Sequence, residues 1–183
     1  MLVNRCNARY NTSMNTYEAL KRIILSSKEL TLIFKIVLGL FIIRIIGLYF
    51  KILKSRKIKR QILKLANNSI EMTPKSFMEL RKNAMKKKDH KCNYSGVYII
   101  YNKSKDMYYI GQATRVLDRL NQHFTGHGNG DVYADFKYGD NFSIRTIALK
   151  NSNCKSLNEL ERKTIKTYDA YSKGYNRTRG NKG

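Results

Sequence analysis

The chain has no tryptophan and one proline, and its 13 Asp and Glu are few beside 36 Lys and Arg among 183 residues. The shortage of acid leaves a formal net charge of +23, which argues against an ordinary enzyme surface. Such an excess attracts polyanions, either nucleic acid or anionic lipid head groups, through summed potential and counterion release. Three cysteines, Cys6, Cys92 and Cys154, lie far apart with no C-x-x-C pair. That spacing argues against a zinc site or a disulfide framework, and the odd count suits a reducing compartment. With 11 glycines and 42% hydrophobic residues, the composition is neither collagen-like nor that of a wholly disordered chain. At least one packed core is expected.

The charge is uneven. Residues 1–93 carry 21 Lys and Arg against 5 Asp and Glu, net +16, whereas residues 94–183 carry 15 against 8, net +7. The first half also holds the most apolar run, Leu30 to Phe50 (LTLIFKIVLGLFIIRIIGLYF). As a helix its 21 residues reach about 31 Å, close to the thickness of a bilayer's hydrocarbon core. A single transmembrane helix over residues 30–50, preceded by a segment 1–29, is therefore expected. Lys35 is near enough to one end to snorkel. Arg44 is deeper and costs about 2.5–3.5 kcal/mol if central, which the surrounding Leu, Ile, Val and Phe can offset. The competing readings are a helix lying flat at the interface and a buried helix of a soluble domain. Seven cations between Lys51 and Lys64 follow the run, against only Lys21, Arg22 and Lys28 at similar range before it. The excess places the following chain in the cytoplasm.

Residues 51–92 read as a basic linker of two helices. The first continues through Ile58, Ile62, Leu63 and Leu65; the second opens at Thr73-Pro74 and runs through Phe77, Leu80 and Met85. Lys86, Lys87 and Lys88 close it, either as cations suited to a last helical turn or as phosphate contacts.

From residue 93 the pattern changes to a small α/β domain. Gly96 to Tyr101 and Met107 to Ile110 read as a hairpin, Ala113 to Phe124 as a helix, Asp131 to Tyr138 as a short helix and Phe142 to Leu149 as a third strand. Val116, Leu117, Leu120 and Phe124 mark one side of the first helix, while Arg115, Arg119 and His123 recur every four residues on another. A capping box, Ser156 to Glu159, opens a last helix that runs to about Tyr168. Glu161 lies on its apolar stripe, where a carboxylate is costly unless a cation, a metal or hydrogen bonds meet it. Tyr101 and Tyr108 face away from Tyr98 and Tyr109 and are expected in the core, and His127 in the glycine-rich loop is expected to be exposed.

Taken in order, several elements resemble the GIY-YIG nuclease family. They are Gly96-Val97-Tyr98, then Tyr109-Ile110-Gly111 eleven positions on from tyrosine to tyrosine, Arg119 with His123, Glu161, and Gly174-Tyr175-Asn176. The likeness covers about residues 94–180, with Val97 in place of the usual Ile. It implies an α/β sandwich with a small three-stranded, mainly antiparallel sheet flanked by helices, and cleavage of DNA with one divalent metal, Mg²⁺ foremost. It also implies roles: Tyr98 as general base or water-orienting phenol, Tyr109 as its hydrogen-bonded neighbour, and Arg119 as phosphate clamp. His123 would handle a proton or contact phosphate, Glu161 would bind the metal, and Asn176 would be a positioning amide. Arg115 is expected to share the clamp. Arg177 and Arg179, in a flexible cationic tail, are expected to touch DNA nonspecifically.

The residue types suit the chemistry on their own account. Phosphodiester hydrolysis needs a base for water, a cation for charge developing on phosphorus, and a metal for phosphate and leaving oxygen. The expected function is thus a membrane-tethered cytoplasmic DNA endonuclease, acting against phage or mobile DNA or in DNA transfer. The alternatives are a non-catalytic, membrane-anchored DNA-binding module and a soluble homing or repair nuclease.

Overall fold

A computed structural model describes residues 2–87 and 93–181. The chain divides into two units, Met1–Lys54 and Ser55–Gly183. The first is helical throughout its described length, as part of α1 (Leu2–Asn67). Nothing in α1 stops a helix: it contains no proline, and Gly39 and Gly47 stand in open space. Over residues 30–50 its apolar side chains are uncovered, with Ile33 57%, Phe34 65%, Phe41 60% and Ile43 66% exposed. The helix is long and apolar enough to cross a membrane.

The second unit is built on a three-stranded antiparallel sheet of order β2-β1-β3, with β1 (Gly96–Asn102), β2 (Met107–Ala113) and β3 (Phe142–Ala148). β1 is the most buried strand because it is central and both its faces are covered. On one face Tyr98, Ile100, Phe142 and Ile144 pack against Phe77 of α2 (Pro74–Lys86), against Val116, Leu120 and Phe124 of α3 (Val116–Phe124), and against Val132 of α4 (Gly130–Lys137). On the other, Val97, Ile99, Ile110 and Ile147 meet Ile62 and Ala66 of α1 and Leu160 and Ile165 of α5 (Leu157–Thr167). The expected α/β sandwich is the fold observed.

Residues 55–86, read from composition as linker, thus supply side chains to both cores. Two further contacts hold them. Met72 pairs with Ile144 on the outer edge of β3, and the Arg145 guanidinium donates to the carbonyls of Ala66 and Ser69 at 2.9 and 3.1 Å and to Glu71 at 2.8 Å. A cation on the last carbonyls of a helix satisfies acceptors that have no partner within it. The Thr73-Pro74 start of α2 forms as expected, Thr73 and Ser76 capping one another.

Element ends shift where a backbone need outweighs side-chain pattern. β2 runs on to Ala113, beyond the expected Ile110, because Gly111 and Gln112 continue the ladder opposite Tyr98 and Val97; α3 accordingly begins at Val116 and not Ala113. In the box before α5, Ser156 accepts from the Glu159 amide as expected. The returning bond from Glu159 goes to the amide of Lys155 at 2.8 Å, one residue earlier than a capping box requires.

Candidate active site

Tyr98 and Tyr109 lie on the same face of the sheet, diagonally across β1 and β2, with ring centroids 6.2 Å apart. The cross-strand partner of Tyr98 is Gly111, and a Cβ there would lie 2.1 Å from the Tyr98 hydroxyl. Only glycine lets the phenol lie across that strand. Into the gap between the rings comes His123 from α3, its centroid 5.3 Å from Tyr98 and 4.8 Å from Tyr109.

His123 is fully buried, and its Nε2 lies 2.9 Å from the Tyr98 oxygen. Its Nδ1 accepts the backbone N–H of Asn129 at 2.9 Å, an approach that Gly128 permits, since a Cβ there would sit 2.5 Å from Nδ1. A backbone amide can only donate, so in the neutral ring the proton is on Nε2 and is donated to Tyr98. Burial, with the nearby Arg119 charge, lowers the His123 pKa from 6.5 to about 4, so the ring is neutral at physiological pH. Fully buried, His123 does not reach out to touch phosphate; its link to the site is the hydrogen bond to Tyr98. It stands behind the phenol, out of reach of solvent.

Burial also pushes the Tyr98 hydroxyl well above the usual phenol range, reinforced by Tyr109 and opposed by Arg119. Tyr109 is raised by burial as well; Arg119 and Tyr98 oppose the shift and the Glu161 charge adds to it. Arg119 is half-buried, held by the Gln122 side-chain oxygen.

Glu161, on α5, is 8% exposed. Its Oε2 accepts from Gln112 Nε2 at 3.2 Å and from the Asn181 backbone N–H at 3.3 Å, while Oε1 makes no hydrogen bond among the described residues. Burial raises its pKa, and these neutral donors oppose the shift. No cation pairs with it among the described residues. Lys163 is engaged by Glu159 at 2.7 Å, and Arg162 by the Asn181 carbonyl. Asn176 lies flat against the open edge of β2, its amide accepting from Ile110 N at 2.8 Å and donating to Ile110 O at 2.7 Å.

The expected DNA contacts divide. Lys86 and Lys87 are exposed at the end of α2, and Lys88 lies outside the described residues. Arg115 caps α3, its carbonyl accepting the Arg119 N–H one turn on at 3.2 Å, and its guanidinium pairs with Asp118 at 2.8 Å. Arg177 pairs with Asp131 at 3.0 Å and Arg179 lies over the Tyr171 ring at 5.2 Å. The segment 177–181, expected to be a flexible tail, is therefore docked by ion pair, ring contact and backbone bonds. His127 is exposed, as expected.

Residues 94–176 match the family model of the GIY-YIG catalytic domain, a nuclease family. This portion of the chain carries that domain, and its three-stranded sheet with flanking helices is consistent with the fold. Neither curated proteins nor solved structures give a match to the chain.

Proposed function

We propose that the chain is a membrane-anchored, metal-dependent DNA endonuclease whose nuclease domain works on the cytoplasmic side. The observation that carries this reading is the convergence of Tyr98, Tyr109, Arg119 and His123 at one face of a sheet, with Glu161 close enough for its charge to act on Tyr109. None of these groups is needed together for packing alone.

Tyr98 is the group that meets the attacking water. With its oxygen already accepting from His123, the phenol keeps a second lone pair for a proton of that water and its own O–H for a neighbouring acceptor. Because burial favours the neutral phenol, Tyr98 orients the water through its oxygen; it is not a standing phenolate. Arg119, beside both phenols, supplies positive charge where the phosphorane becomes more negative, which is where a fixed cation lowers the barrier. Glu161 is the residue that would hold a divalent cation. Its donor set fits Mg²⁺, which binds through one or two carboxylates and keeps waters and phosphate oxygens as its other ligands. When bound, that ion supplies Lewis-acid stabilisation to the phosphate and the leaving oxygen.

The anchor reading rests on the uncovered apolar helix of the first unit and on the seven cations that follow it. None of its apolar window is buried within the chain, which favours a lipid surrounding over a packed N-terminal domain. A tether concentrates the nuclease where DNA crosses the envelope, which suits defence against phage or mobile DNA. Cell fractionation followed by a nicking assay tests both halves. The full chain should stay in the pellet through high-salt and alkaline washes and should nick plasmid DNA only with a divalent metal. Release by alkali, or nicking undiminished by chelator, overturns the corresponding half.

A further inference from the structure

A carboxylate halfway along a helix has several rotamers open to it, and one that must present an oxygen to a cation benefits from having the other oxygen fixed. Two groups do this for Glu161, and neither belongs to the elements that carry the family resemblance. Gln112, the residue after Gly111, uses both hydrogens of its amide: one goes to Glu161 Oε2 at 3.2 Å, the other to Asn158 Oδ1 at 2.5 Å, one turn earlier on α5. That second bond sets which way the amide points.

The other donor is the backbone N–H of Asn181. It arrives because the Arg162 guanidinium, on the same helix, grips the Asn181 carbonyl, and because Gly180 takes φ +96°. A Cβ at Gly180 would lie 2.8 Å from Arg162 Cγ and 3.4 Å from Glu161 Oε2. Glycine is required twice over here, for the backbone angle and for the approach. Both donors are neutral, and the adjacent cations pair elsewhere, Lys163 with Glu159 and Arg162 with a carbonyl.

We propose that Gln112 and the Gly180–Asn181 segment are positioning residues for the metal: they clamp Oε2 of Glu161 and thereby present Oε1 to the divalent cation. The inference rests on the reading of Glu161 as the metal ligand. Partners behind a metal ligand commonly control affinity by about 10–100-fold.

The test is a Mn²⁺ titration of the full chain in detergent, with free Mn²⁺ followed by electron paramagnetic resonance, alongside the Mg²⁺ dependence of plasmid nicking. Gln112→Met keeps the bulk and removes the donor; Gly180→Ala, or deletion of residues 180–183, removes the other donor without touching the sheet. Each should weaken Mn²⁺ binding about tenfold and raise half-saturating Mg²⁺ equally, while turnover at saturating Mg²⁺ stays within about threefold. Unchanged Mn²⁺ affinity in Gln112→Met and in the deletion overturns the inference, as does a fall in turnover that metal does not restore. Should Gln112→Met fail to fold, the deletion decides alone. Glu161→Gln separates the two levels. If that variant still binds Mn²⁺, the metal-ligand reading itself is wrong; if it does not, while the clamp variants bind normally, only the clamp is.

Discussion

β1 and β2 carry two tyrosine pairs, one on each face of the sheet, and the pairs differ in everything but residue type. Tyr101 and Tyr108 are direct cross-strand partners, stacked at 4.3 Å and 15°. Nothing fits between them, and the Tyr101 hydroxyl is used locally, donating to Asp106 of the hairpin at 2.9 Å. Tyr98 and Tyr109 are diagonal neighbours, since Tyr98 faces Gly111 and Tyr109 faces Ile100. The offset opens the rings to 6.2 Å, and His123 enters the space. A single step of register thus decides whether two phenols make a surface stack or a pocket with a buried donor behind it. Residue identity does not distinguish them; the cross-strand glycine does.

Variants at five positions sharpen or break that contrast. Glu161→Ala, at the edge of the pocket, should lower single-turnover cleavage at saturating Mg²⁺ by about a thousandfold or more, with DNA binding retained in a filter assay. Near-normal cleavage would remove the acid from the site. Arg119→Ala should cost about 10²–10³ in kcat with KM little changed, because the charge it answers develops only in the transition state; a pure rise in KM would make it a binding residue.

Tyr98→Phe keeps the ring and should lower kcat about a hundredfold, with a loss of about 1–3 kcal/mol of stability because the buried His123 N–H loses its acceptor. In the unchanged protein, cleavage should not fall through pH 9–10, where an ordinary phenol ionises, since burial holds this one neutral. A loss of rate across that range that Tyr98→Phe lacks would mean that the phenol is not held neutral.

His123 should show itself in stability before activity. Its folded pKa of about 4 lies below the unfolded value near 6.5, so the stability it brings is complete above pH 6.5 and is lost as the pH falls towards 4. The loss should be about 3 kcal/mol. Urea unfolding of His123→Gln between pH 7 and 4 should lack this slope; an unchanged slope would mean that the imidazole is not buried neutral. The smallest effect belongs to the other face. Tyr101→Phe loses one exposed hydrogen bond, and its cleavage rate should stay within about twofold. If it matches Tyr98→Phe, the two pairs are not different in kind.

Much of this was legible in the sequence, for stated reasons. The alternation of β1 and β2, the Thr73-Pro74 start and the Ser156 cap are local signals, and local physics settles them. The inward position of Glu161 followed from helical period alone. What could not be read depends on contacts between distant segments. Arg145 reaching back to Ala66 and Ser69 draws the basic helix into the domain, and no window of sequence contains both ends of that bond. The different burial of Arg119 and His123 was not legible either: four residues apart they share a side of α3, yet Arg119 is half-buried and His123 fully buried beneath the two tyrosines. The docking of residues 177–181 had one faint signal, the glycine at 180 in an otherwise polar stretch.

The amide of Asn176 against Ile110, with the Tyr175 N–H on the Tyr108 carbonyl at 2.9 Å, has a consequence in time as well as in space. β2 bears Tyr109 and Gly111, and it is an outer strand whose free side is sealed by a segment more than sixty residues further along. Translation proceeds in that order, so the apolar helix leaves the ribosome long before the seal can form. A half-made chain therefore has an unsealed β2. The order of synthesis itself makes completion of this sheet edge one of the last steps of folding.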